Sequence, residues 1–418
     1  MINILTKRLF LPAIVFTLAV LLPADAALTL AAKGKSEAFI VSSTHEKPAK
    51  VLQEYLEKIT GTKIPIVSRE TELKLDQTAI VLQVVGTVTG ASTRPTAKQA
   101  YHLYSVGNRL YLNGGSELGL LYAVYGFLED HLGVRFYNFK AVRLSYAGPG
   151  FEIIPSEKTL KIGEIYETHE PAFPIRGFIY YIPIDEWLLK NRGGGLPANS
   201  IWANHNFYQL IPPKKHFKDH PDWYPLRNGK RQHDWSMGLC GTNKELAQEM
   251  ANALMEIMEK TKNPNKPISA AQGDGFTGCQ CDECRALVMK EETEAAPIIL
   301  MLNRALDITA QKYPKHRVIT FAYFDTLPAP QTLRPHPNLW INVVSSSLSQ
   351  NAAGDQVGPI PDNPSNRDYA KALQDWPKIA PGRVMVWHWS ALAHFTEWPD
   401  IYSLPDDLRF LQKCGVAG

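Results

Sequence analysis

Between Gln272 and Cys284 the chain sets one carboxylate, Asp274, at the end of an expected strand and just ahead of three cysteines. A carboxyl group so placed can hand a proton to a bound substrate or take one from it. The three cysteines, Cys279, Cys281 and Cys284, join Cys240 in the pattern C-x38-C-x-C-x2-C. These are the ligand types of a tetrahedral thiolate zinc site at an unusual spacing. Cys279 and Cys281 are too close in sequence to bridge each other well, but both can face one ion across a tight loop. An oxidising compartment offers the other reading, in which Cys240 pairs with a loop cysteine in a disulfide. Structural zinc and disulfide both stand at this point. Either one braces the loop that carries Asp274 and stays out of the chemistry, because four thiolates leave zinc no open position for water.

Other motifs narrow the field by being absent. The chain has no H-E-x-x-H, and His169-Glu170 is followed by Pro171, which does not continue a helix. It has no G-x-S-x-G, no P-loop and no G-x-G-x-x-G, so esterase and nucleotide chemistry have no motif and no organic cofactor is expected. Lys214, Lys215 and Lys218 form a small solvated cluster, so no nucleic acid is expected as a partner.

The N-terminus reads as an export leader. Lys7 and Arg8 precede the apolar run Leu9 to Leu22, and Ala24-Asp25-Ala26 has the small-x-small form of a cleavage site. Residues 1–26 are therefore expected to be a signal peptide cut after Ala26, with the protein secreted or periplasmic. The run is shorter than the roughly 20 residues of a membrane span, and no second candidate follows. Losing Lys7, Arg8 and Asp25 lowers the formal charge from +3 to +2.

Two regions must position these groups. In residues 27–160, a strand at 37–42 leads into a helix whose Val51, Leu52, Tyr55, Leu56 and Ile59 recur at helical spacing until Gly61. Strands follow at 80–85 and 101–105, and the latter pairs with 109–113 across Gly107-Asn108. A second helix, from Ser116 to His131, completes a small α+β domain and its linker. From residue 161 to 418, apolar strand-like runs alternate with helices such as 244–260 and 296–312, as a TIM (β/α)8-type barrel requires. The expected strands are 175–181, 200–204, 236–240, 268–271, 318–323, 339–344 and 384–389. They number seven, so the chain is expected to stop short of the last strand. The fold class is α/β.

In such a barrel, function gathers where strands end. Asp274 follows the fourth strand. His205 and Asn206 follow the second, where their polar groups can bond to hydroxyls, although a buried, satisfied histidine is an equal reading. Trp387-His388-Trp389 ends the seventh strand, with both indoles on one side and His388 on the other. Tyr180, Trp202 and Tyr323 complete an aromatic wall, and core packing is the competing role for each.

VLQEYLEKITG at 51–61 and GLLYAVYGFLEDHLGVRFY at 119–137 resemble the domain that precedes the barrel in α-glucuronidases and β-hexosaminidases. The whole arrangement resembles a family of uncharacterised secreted bacterial proteins that combine this domain with a glycosidase-like barrel. The shared marks are His205-Asn206-Phe207, Leu239-Cys240, and Asp274-Gly275 with Cys279, Cys281 and Cys284. The resemblance implies a carbohydrate partner and a glycoside hydrolase-like reaction, which needs two carboxylates. Asp274 stands where both glycosidase families keep their acid, but Gly275 replaces the glutamate that hexosaminidases place next. Asp325, after the fifth strand, is the nearest second carboxylate, and capping the turn before Pro328 is its alternative role. A glycan-binding protein on a degenerate barrel is the alternative function.

Overall fold

The computed structural model describes residues 27–85, 97–137, 151–177, 185–194, 204–234, 238–261, 263–264, 266–275, 278–344, 358–387 and 403–418. The chain is a mixed α/β protein with two large hydrophobic cores.

The first core lies under a six-stranded sheet. Its strands run, side by side, Tyr166–His169, Tyr101–Val106, Arg109–Gly114, Thr78–Val84, Ala38–Val41 and Ile66–Val67. The hairpin 101–114 is antiparallel, as Gly107-Asn108 predicts, and the strands from Arg109–Gly114 onward are parallel. One face is covered by the helix Glu46–Thr60, stopped by Gly61 in the left-handed conformation (φ +73°), and by the helix Glu117–Gly126. Ser116 caps the second helix by accepting from the Gly119 amide, and the helix runs on as a π-helical turn, Phe127–His131. It packs so tightly on the sheet that a Cβ at Gly114 would lie 2.0 Å from the Leu120 nitrogen. Leu28–Ala32 and Leu160–Ile162 also pair, so this layer draws strands from past residue 160.

The second core carries the site. Four parallel strands, Ile268–Ser269, Val318–Ala322, Leu339–Val344 and Val384–Trp387, stand side by side in chain order. Helices Lys244–Lys260, Ala295–Lys312 and Arg367–Ile379 bury one face against them, placing Leu254, Leu302 and Trp376 in a shared core. Each fully buried side chain of this size contributes about 1.5–3 kcal/mol.

Both edges of this sheet continue. His205 bridges to Ala271 in parallel sense. At the other edge the Ala417 amide donates to the Val384 carbonyl, and the Ile175 amide donates to the Ala417 carbonyl. Closure into a barrel is not traced among the described residues. Of the expected strand 236–240, residues 238–240 are irregular, because the Cys240 amide is taken by the Trp223 carbonyl and its thiol by the cysteine group; residues 236–237, and most of the expected strands 175–181 and 200–204, lie outside the described residues.

Candidate functional site

Asp274 follows the strand Ile268–Ser269, in a turn where Gly275 takes φ +78°. Its side chain is 50 % exposed, so it lies at the surface beyond the carboxyl end of the strand and not in the core. Tyr323, directly after Val318–Ala322, donates its phenol hydrogen to Asp274 Oδ1 over 2.7 Å. Burial, then the bond to Asp274 and its charge, push the Tyr323 hydroxyl well above the usual tyrosine range, so the group stays a donor.

His205 approaches the same oxygen, with Nε2 at 3.9 Å from Asp274 Oδ1. Its Nδ1 lies 2.7 Å from the Gln272 carbonyl, an acceptor only, which fixes the hydrogen on Nδ1 and turns Nε2 toward the carboxylate. The imidazole packs on Phe321 at 4.9 Å between ring centroids, and Phe321 meets Trp387 at 6.0 Å. Sequence order thus brings Asp274, His205, Tyr323 and Trp387 to one place, although they lie on four segments of the chain. Phe321 was not expected there: it reads as one of five strand residues that are apolar but for Thr320, and only the alternation of faces marks it as a neighbour of Tyr323.

Asn206 sits beside this group, but its amide is engaged elsewhere. Nδ2 donates to the Ser269 carbonyl at 2.7 Å, and Oδ1 accepts from the Ala271 amide at 3.0 Å. It is a brace that ties the His205 segment to the strand. Tyr180, Trp202, His388 and Trp389 lie outside the described residues.

Asp325 lies in the short turn Phe324–Thr326, exposed, two residues beyond Tyr323. The turn is anchored by the Thr326 hydroxyl, which accepts from the Tyr323 amide and from Gln272 Nε2 at 2.8 Å. A carboxylate that sequence reading missed stands near it. Burial, and then the charge of Asp325, hold the Glu294 carboxyl above the usual glutamate range, against the opposing pull of Arg227 and Arg285. A Cβ on Gly278 would lie 2.0 Å from Glu294 Oε2, so the carboxyl rests on the backbone where the cysteine loop begins. Nothing in the sequence around Glu294 separates it from its neighbours Glu291 and Glu292.

The four cysteines meet as the pattern expects. Cys240, Cys279, Cys281 and Cys284 are all buried, with every sulfur within 4.8 Å of the others. Cys240 Sγ lies 3.6 Å from Cys281 Sγ and 4.0 Å from Cys284 Sγ, and the thiols are not bonded to one another. Hydrogen bonds from Cys279 and Cys284 pull the Cys240 thiol down, while the bond to Cys240 pushes Cys279 and Cys284 up. The cluster can hold a metal ion.

The site is thus a carboxylate, a phenol and an imidazole gathered at the ends of parallel strands in an α/β protein, beside a four-cysteine brace. Residues 146–418 match the family described as domain of unknown function DUF4838, and the chain belongs to that family. No curated protein matches it. Among solved structures it is similar to the β-N-acetylhexosaminidase of Bacteroides fragilis NCTC 9343, at 12% identity and TM-score 0.41 over 94% of this chain and 89% of that one. The GH20 exo-β-N-acetylglucosaminidase of Vibrio harveyi is 12% identical, with TM-score 0.39 over 94% and 76%. The chitobiase of Flavobacterium johnsoniae is 10% identical, with TM-score 0.42 over 93% and 70%.

Proposed function

We propose that this protein is an exported glycoside hydrolase-like enzyme acting on polysaccharide or glycan fragments. The reading rests above all on Asp274, a half-exposed carboxyl held by Tyr323 at the carboxyl ends of parallel strands. In this account Asp274 is the general acid. Tyr323 fixes Oδ1, which leaves Oδ2 to protonate the leaving glycosidic oxygen as the bond to the sugar breaks. Water supplies the other fragment's hydroxyl, and a second carboxylate takes its proton, so the balance is hydrolysis. Asp325 is our choice for that partner, with Glu294 beneath it as the member of the pair held toward its protonated form. Trp387 and the His205 ring, both half-buried and both packed on the buried Phe321, offer the apolar wall on which a sugar face stacks.

The hydrogen bonds that carry the sheet onward at Ala271, Val384 and Ala417 support a (β/α)8 barrel for the second region. We further assign residues 1–26 to a cleaved leader, and zinc to the cysteine group as a structural ion. No described helix is long and apolar enough to cross a membrane.

A non-catalytic glycan-binding protein is the second reading. It is favoured by one observation: the group bonded to Asp274 is a phenol, not a second carboxylate. A glycan-library screen of the complete protein separates the two. Release of sugar that disappears in Asp274→Asn supports the enzyme, and retention of glycans without release supports the binder.

A further inference from the structure

The hairpin Leu226–Arg227 and Lys230–Arg231 is joined by Asn228-Gly229, with φ +49° and +75°, the two-residue turn that suits such a connection. Two residues per strand do not hold a hairpin together in water. What holds this one is the cysteine loop. The Gln280 amide donates to the Leu226 carbonyl at 2.8 Å, the Asn228 amide donates to Gln280 Oε1 at 3.0 Å, and Arg227 Nη1 donates to the Gly278 carbonyl at 2.9 Å.

The hairpin also aims donors at sulfur. The Leu226 amide donates to Cys279 Sγ at 3.3 Å, and Arg231 Nη1 lies 3.7 Å from the same atom. From the opposite side, Thr242 Oγ1 lies 3.2 Å from Cys284 Sγ and 4.0 Å from Cys281 Sγ. The Thr242 carbonyl is in turn fixed by Arg304 Nη1 at 2.8 Å.

These donors fit a metal better than disulfides. A tetrahedron with metal–sulfur bonds of about 2.3 Å has sulfurs about 3.8 Å apart, and the separations of 3.6 and 4.0 Å straddle that value. A disulfide needs about 2.05 Å. Four thiolates around a divalent ion carry a net charge of −2, which is costly to bury without donors and an opposing charge.

Resting on the zinc reading above, we propose that Arg231, with the Leu226 amide and the Thr242 hydroxyl, forms the outer shell of a divalent-metal tetrathiolate. Arg231 supplies the cation that offsets the buried charge. Binding converts four thiols to four metal-bound thiolates and releases their protons to solvent. The ion thereby locks the hairpin and the residues 240–242 to the loop that follows Asp274.

The test is zinc retention by the full chain, measured by competition with a chromophoric chelator in wild type, Arg231→Gln, Arg231→Lys and Thr242→Val. Wild type is expected to hold about one zinc. Arg231→Gln should lose retention by roughly 10–100-fold, the usual cost of an outer-shell change, and Thr242→Val should weaken it too. Arg231 also donates to the Tyr224 carbonyl, so a purely structural loss is separated by Arg231→Lys, which should recover most of the affinity through charge alone. Equal retention by wild type and Arg231→Gln overturns the outer shell while leaving the zinc. A wild type with no metal and a Cys240 disulfide overturns both.

Discussion

Tyr323 and Asp274, 49 positions apart, meet through one 2.7 Å hydrogen bond that spans the ends of two neighbouring parallel strands. Ile268 pairs with Val318 and Ser269 with Ile319, and this register brings the two strand ends level. The phenol is the group that sets where the carboxyl points. Tyr323→Phe keeps the ring and its packing on Phe321 but deletes the donor. Glycan cleavage by this variant should fall by about 10²-fold in kcat, in the range seen for loss of one positioned donor. The melting temperature should change little, since the bond is exposed.

Glu294→Gln tests the half-buried carboxyl by its pH dependence. Burial, then Asp325, raises the Glu294 value above the 4.5 of the unfolded chain. The folded state therefore holds the proton more tightly, so this stability is complete below pH 4.5 and is lost as pH rises through the folded value. Melting curves of wild type and Glu294→Gln should converge near pH 4 and part above it, with the glutamine variant the more stable at pH 7. Parallel curves would show that Glu294 carries no such strain.

Glu291, three residues earlier, should behave in the opposite way. Burial raises its value, but hydrogen bonds from the Thr332 hydroxyl and from the Leu333 and Thr332 amides outweigh that and hold it below the glutamate range. Its contribution is present above pH 4.5 and lost as pH falls below it. Glu291→Ala should cost about 2–3 kcal/mol at pH 7 by leaving those donors unpaired, read from urea unfolding at pH 7 and again at pH 3.5, where the difference should shrink.

Asn206 separates a brace from a ligand. Its amide joins the Ser269 carbonyl to the Ala271 amide across the edge of the sheet. Asn206→Ala should lower stability by about 1–3 kcal/mol. Activity per folded molecule should keep its KM, because the amide is buried against the strand and already bonded through both its oxygen and its nitrogen. A raised KM at unchanged stability would place Asn206 in the binding surface instead.

Much of this was legible in the chain. Leu52, Leu56 and Ile59 at helical spacing before Gly61, and the run from Lys244 to Lys260, form the helices their periodicity predicts, because one buried stripe suffices to fix each. The strand ends carrying Asp274 and Tyr323 were legible because Ala270-Ala271 is apolar and Val318–Ala322 is apolar but for the β-branched Thr320. Short elements held by long-range contacts were not. Leu226–Arg231 carries a good turn signal, but its partners are more than 50 residues downstream, and Tyr166–His169 is a polar Tyr-Glu-Thr-His run with only the sheet edge to define it. Cys240 misled the strand reading because its apolar neighbour Leu239 fits a strand while its thiol is drawn to three others. Glu294 was invisible because its environment is made by Gly278 and Asp325, neither of which is near it in sequence.

The central claim is that Asp274 performs proton transfer to a glycosidic oxygen. Its most direct test is the rate of reducing-sugar release from a glycan library by the wild-type protein and by Asp274→Asn, with folding checked by melting temperature. The account predicts release by wild type and a loss of at least about 10³-fold in the variant at nearly unchanged melting temperature. Undiminished release by Asp274→Asn would contradict it.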